Sequence, residues 1–217
     1  MVFADWSKAI PILKARTGSY CHFCEMRVTN GLAIEHIKPK KHFPRLADHW
    51  DNFLLTCCYC NAHKGEEIPL SPYRKQYVWP HINNTLLVFK YSSHLPFIST
   101  DHLQDNELKI RAQRMIDLYG LNQEIKANGE PDSRWIEKCS ALKDAIDCYL
   151  EFAENKITVD CIVRIAVKVG FFSIWLAVFS NIAVVIKALI ENEAFRLKEM
   201  NCYNQQLEFS PRNANDV

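Results

Sequence analysis

Residues 52–65 read NFLLTCCYCNAHKG: an amide, a short apolar run, three cysteines within four positions, then Asn-Ala-His-Lys-Gly. A buried strand would use Val or Ile where this stretch has thiols, and a turn needs none. The cysteines therefore point to chemistry. Working outward, Cys57-Cys-Tyr-Cys60 has a counterpart upstream in Cys21-His-Phe-Cys24, 32 intervening residues away. Thiolates in C-x-x-C pairs reach one metal ion from a tight turn, and a structural Zn²⁺ takes four of them tetrahedrally. Cys21, Cys24, Cys57 and Cys60 are the expected ligands, with a redox pair as the alternative. Cys58 falls out of register and is expected as a buried free thiol. Cys139, Cys148, Cys161 and Cys202 are expected in helical core positions.

The whole chain fits that reading. Its 217 residues suffice for one large domain or two small ones with a real core. With 48% hydrophobic and 24% charged residues it has the composition of a folded protein. The first residues, MVFADWSKAIPILKARTG, carry charge throughout and lack the apolar core of a secretory signal, so a cytoplasmic location is expected. Nine cysteines, an odd count, then suggest metal ligands plus free thiols rather than a disulfide framework. The net charge of +1 is unevenly spread. Residues 1–100 hold twelve Lys and Arg against seven Asp and Glu, and residues 101–217 hold fourteen against eighteen. A polyanion site is expected in the first half.

Three regions follow along the chain. A helix is expected over Ser7 to Arg16, stopped by Gly18. In MRVTNGLAIEH, residues 26–36, Asn30-Gly31 between alternating runs predicts a hairpin whose second strand ends at Glu35-His36. A basic loop, IKPKKHFPRLADHWD (37–51), follows, and a short helix is expected to start near Asn61. Pro72, Pro80 and Pro96 mark residues 71–100 as irregular, and the connector is set at 76–104. From about residue 105 the pattern is helical: Leu108, Ala112, Met115, Ile116 and Tyr119 share a face stopped by Gly120. Leu142, Ala145, Ile146, Tyr149 and Phe152 repeat it. A third helical stretch runs from Thr158 toward Met200, with Gly170 a possible interruption, and SPRNANDV (210–217) reads as a loose tail. Residues 169–186 have no charge over 18 positions, about 27 Å as a helix, barely enough for a membrane span. The small and polar side chains along one side favour instead a helix buried among neighbours or docked on a partner.

With four cysteines assigned to zinc, Glu35 and His36 end a strand, Asn52 closes the basic loop and Asn61 follows nine residues later. Together CHFC (21–24), IEHIKPK (34–40) and WDNFLLTCCYCNAHKG (50–65) resemble the HNH, or ββα-metal, endonucleases of the zinc-stapled kind. The third letter here is Asn61, giving the H-N-N variant that the family also contains. The resemblance implies an α+β fold: a zinc-stapled nuclease core at 1–75, the connector at 76–104, and a helical partner-binding region at 105–217. It implies phosphodiester hydrolysis, with His36 as the base that activates water and Glu35 and Asn61 as ligands of Mg²⁺ or Mn²⁺. Asn52 would hold the loop beside His36. Lys38, Lys40, Lys41, Arg45 and Lys64 would meet backbone phosphates. His63 either assists metal or phosphate or lies on the exposed helix face. The nucleic acid is DNA, or RNA such as tRNA.

More narrowly, the order of these motifs with YVWPHINNT (77–85), RAQRMIDLYGLN (111–122) and a helical half resembles the PtuB-like HNH nucleases of Septu-type and retron-associated antiphage systems. That resemblance implies a companion ATPase held by the helical region, and a homo-oligomer within a larger complex. Two other readings stand beside it: a non-catalytic zinc-knuckle module that binds nucleic acid or protein, and a membrane-associated toxin acting through residues 169–186.

Overall fold

The computed structural model describes residues 1–197 and Tyr203. A 3-10 turn, Trp6–Ala9, leads into α1 (Ile10–Thr17), which ends at Gly18 with φ 77°. The chain then makes the first cysteine turn. Here the expected tight hairpin does not form. The Cys21 amide donates to Met26 O (3.0 Å) and the Val28 amide to Ser19 O (2.9 Å), so residues 26–28 fold back around Cys21–Cys24. Their backbone groups are already used when Asn30-Gly31 is reached. The next strand, β1 (Ala33–His36), does end at His36, but it pairs antiparallel with β2 (Phe53–Thr56) across the basic loop. The register sets Glu35 opposite Leu54 and His36 opposite Phe53.

Directly after β2 comes α2 (Cys58–Lys64), three residues earlier than the sequence suggested. Cys57 is its N-cap: the sulfur accepts from the Cys60 amide, as a serine oxygen would. That start turns Cys58 outward, so it is exposed, as is Cys139. Cys148 is buried and Cys161 half-buried; Cys202, Met200 and residues 210–217 lie outside the described residues. The connector is built of short pieces, α3 (Tyr73–Gln76), α4 (Thr85–Val88) and a two-stranded ladder of β3 (Lys90–Tyr91) with β4 (Ile98–Ser99).

The helical part begins with α5 (Asn106–Tyr119), capped by the Asp105 carboxylate and closed by Gly120 in the left-handed region. Its apolar face, Leu108, Ala112, Met115, Ile116 and Tyr119, is wholly buried. Next is α6 (Ser133–Ala153), capped by Asp132. The long final stretch is three helices: α7 (Val159–Val169), α8 (Phe172–Val178) and α9 (Ala183–Glu191). Its first break, at Gly170, is where the chain docks on the first cysteine turn. Phe171 N donates to Glu25 O (3.0 Å), and a β-carbon on Gly170 would lie 2.7 Å from Arg27 N. Glu25 completes the joint, its carboxylate accepting from Ser173 N (2.9 Å) and Ser173 Oγ (2.5 Å). No helix among the described residues is long and apolar enough to cross a membrane.

The three sequence regions share one core. A single buried apolar cluster runs from Ala9 to Leu197 and includes the four paired cysteines, with Phe23 of the first turn stacked on Tyr119 of α5 at 3.7 Å.

Candidate active site

Cys21, Cys24, Cys57 and Cys60 converge, all buried, with their sulfurs within 4.8 Å of one another. Cys24 Sγ and Cys57 Sγ are 3.7 Å apart. A disulfide would need about 2 Å. A tetrahedral Zn²⁺ with bonds of about 2.3 Å sets its sulfurs about 3.8 Å apart. The four-cysteine cluster therefore fits zinc. It also explains the local fold: an ion held here clips the first turn to the start of α2, and Asn61 follows its fourth ligand directly.

His36 closes β1 and is 9% exposed, walled by Trp6 (5.7 Å, edge-on) and Phe53 (5.3 Å, edge-on). Its Nε2 is 2.8 Å from Ala47 O. A carbonyl only accepts, so Nε2 carries the proton in the neutral ring and Nδ1 is the basic nitrogen. Burial pushes the imidazole below its ordinary value, and Lys40 and Lys64 push the same way against the Ala47 bond. The ring is thus neutral at neutral pH.

Asn52 fixes the loop that carries Ala47. Its Oδ1 accepts from Lys38 N (2.8 Å), and its Nδ2 donates to Lys38 O (3.0 Å) and Leu46 O (3.1 Å). One buried amide therefore ties both ends of the basic segment to the base of β2.

Glu35, the neighbour of His36, is 2% exposed and faces α2. Here the structure departs from the sequence reading of Lys64. That residue is 3% exposed rather than turned to a phosphate, and its ammonium sits 2.7 Å from Glu35 Oε1 and donates to His36 O at 3.0 Å. The reason is helical phase. Lys64 lies one turn after Asn61 and Cys60, on the side of α2 that packs on β1, where Glu35 pairs with it. Burial still raises the Glu35 carboxyl to about 7, against the pull of Lys64. Asn61 is half-buried on the same side of α2, three residues from Lys64. His63 is exposed, and its ring lies against Gly120 at the end of α5.

The remaining basic residues lie where the loop opens to solvent. Lys40, Lys41 and Arg45 are exposed and Lys38 is half-exposed. Lys40 lies 4.6 Å over Trp6, and Lys38 lies 5.4 Å over Phe43 and 5.3 Å over Tyr73. Lys41 pairs with Glu66 at 2.6 Å in an exposed bridge. Trp6 and Tyr73 went unnoticed in the sequence because nothing local marks them; only the fold brings them to the loop. Arg134 and Lys138 were missed too. They are buried beside the cysteine cluster, 3% and 1% exposed, yet RWIEK (134–138) reads like a solvated helix face.

A model of the HNH endonuclease family matches residues 19–67, the segment holding β1, β2, α2 and all four cysteines. No curated protein and no solved structure matches the chain. The chain thus carries an HNH endonuclease domain with a four-cysteine cluster, and the family implies nuclease activity and binding of nucleic acid.

Proposed function

We propose that this protein is a metal-dependent endonuclease that hydrolyses phosphodiesters of DNA or RNA at His36. The observation that carries the reading is the state of that side chain: neutral, immobilised by Ala47, with Nδ1 left as the base, at the end of the strand the family uses. His36 takes a proton from water onto Nδ1 as the water attacks phosphorus. Asn52 keeps the imidazole in place through the loop it holds. Glu35 and Asn61 offer a carboxylate and an amide oxygen, hard donors that suit Mg²⁺ or Mn²⁺. That ion, when bound, neutralises charge on the phosphate and the departing oxygen. The salt bridge engages Glu35 Oε1, leaving Oε2 as the donor. Lys38, Lys40, Lys41 and Arg45 hold the flanking phosphates, which gives affinity without reading sequence.

The narrower reading is a PtuB-like effector of an antiphage system, working with a companion ATPase. The motif order supports it. So do Ile110, Ile136, Leu150 and Val184, exposed apolar side chains on α5, α6 and α9 that suit a protein partner. Co-purification with an ATPase encoded beside the chain checks that step.

One observation favours a second reading, a zinc module that binds nucleic acid without cutting it: the buried Lys64 ammonium already neutralises Glu35. Incubating plasmid DNA and total tRNA with the protein, alone and with its ATPase, decides between them. Cutting that requires Mg²⁺ or Mn²⁺ and stops in EDTA supports the nuclease and selects its substrate. Binding to either nucleic acid without cutting, under every condition, supports the module.

A further inference from the structure

The cysteine cluster carries a charge that its own domain does not balance. Four thiolates on Zn²⁺ leave a net charge of about −2, and a buried charge is costly unless paired. Within residues 19–67 the charges nearest the cluster are Glu35 and Lys64, which neutralise each other, and Glu25, which adds negative charge if ionised. Two basic side chains of α6 are buried, and one of them, Arg134, reaches the cluster.

Arg134 Nη1 lies 3.4 Å from Cys60 Sγ. The guanidinium is held in that pose from every other side: Nε and Nη2 bond the two Asp132 oxygens at 3.0 and 2.7 Å, and Nη1 also donates to Tyr119 O at 2.5 Å. Asp132 is itself fixed as the N-cap of α6. One turn later, on the same face, Lys138 is buried with its ammonium donating to Leu121 O. Its ammonium also lies 5.6 Å over the Tyr91 ring.

We infer that α6 is an integral part of the zinc centre, with Arg134, fixed by Asp132 and Tyr119 O, bonding the Cys60 thiolate. Arg134 acts on the metal through its ligand. A thiolate that accepts such a bond donates less charge to the metal and is protonated less readily, so zinc is held longer. The helical region is then more than a surface for partners, because it completes the scaffold from which Asn61 projects. This inference rests on the zinc assignment, and its test separates the two.

The test uses the full chain purified with its metal. Wild type is expected to hold one zinc per chain. Release of that zinc to a chromophoric chelator is expected to speed up about 10- to 100-fold in Arg134→Met. In the Co²⁺-substituted protein, Arg134→Met shifts the sulfur-to-cobalt charge-transfer band to longer wavelength, because a sulfur loses its hydrogen bond. Arg134→Lys keeps the charge but ends short of Cys60, so it shifts the band with a smaller gain in release rate; it decides the matter if Arg134→Met does not fold. Wild-type release and a wild-type band in a folded Arg134→Met or Arg134→Lys variant overturn the inference while leaving the zinc in place. Absence of zinc from wild type overturns the zinc assignment and this inference with it.

Discussion

The Lys64 ammonium lies 2.7 Å from the Glu35 carboxylate, and both side chains are almost wholly buried. The same ammonium donates to His36 O at 3.0 Å, so one lysine fastens α2 to the strand end that carries His36. A lysine in that position is a structural bolt between the two halves of the site.

Removing Lys64 leaves Glu35, whose carboxyl burial already raises to about 7, to take up a proton rather than stand as a buried charge. Lys64→Met is therefore expected to lower stability in chemical denaturation by about 1–3 kcal/mol, the cost of the buried hydrogen bonds it made. Glu35→Gln in the same background is expected to change that little near pH 7. A lysine serving only to hold phosphate would instead weaken nucleic-acid binding and leave the denaturation midpoint in place.

Asn52 makes three side-chain bonds to the loop backbone. At about 1 kcal/mol each, Asn52→Ala is expected to cost about 2–4 kcal/mol. Cleavage is expected to fall with it, because Ala47, the partner of His36, rides on that loop. Measuring stability and single-turnover rate on the same preparation checks both.

Gly170 has φ 87° and no room for a β-carbon against the backbone of Glu25 and Arg27. Gly170→Ala is expected to destabilise by at least about 2 kcal/mol, from backbone strain and collision together. Gly129 is the control. Its φ is 84° but nothing lies within 4 Å of an added β-carbon, so Gly129→Ala is expected to show only the smaller conformational cost. Equal effects in thermal melts would mean that the joint at Glu25 is loose.

Stripping the cysteine-bound metal is expected to lower the melting temperature and to loosen α2, since the cluster fastens its first turn. Zn²⁺ is expected to restore fold and activity together. Mg²⁺ alone is expected to restore neither, although the proposed cleavage needs it or Mn²⁺. Circular dichroism alongside a cleavage assay after each addition separates the two metals.

The sequence was most legible where chemistry forces spacing. Paired C-x-x-C turns announced the cluster, and Glu35-His36 at a strand end could be placed before any coordinates. The face of α5 was equally plain, because five apolar positions at helical spacing have one way to be buried. The Asn30-Gly31 hairpin misled for a definite reason: the cysteine turn competes for the same backbone groups, and a local turn signal does not register that competition. Gly170 was visible as a break. The second break, at 179–182, was not, since FSNI contains no proline or glycine. Lys64, Arg134 and Lys138 share another cause. A charged residue in a polar-looking stretch reads as solvated, and only a buried partner brought near by the fold reverses that.

The most direct measurement is the single-turnover cleavage rate of wild type and His36→Ala with saturating Mg²⁺ or Mn²⁺, each checked for retained zinc and an unchanged melting temperature. A positioned base contributes about 10²- to 10⁴-fold, so a loss of at least about 100-fold is expected in the variant, with fold and cluster intact. Wild-type cutting by a folded His36→Ala protein would contradict the account, because the activity would then belong to some other group.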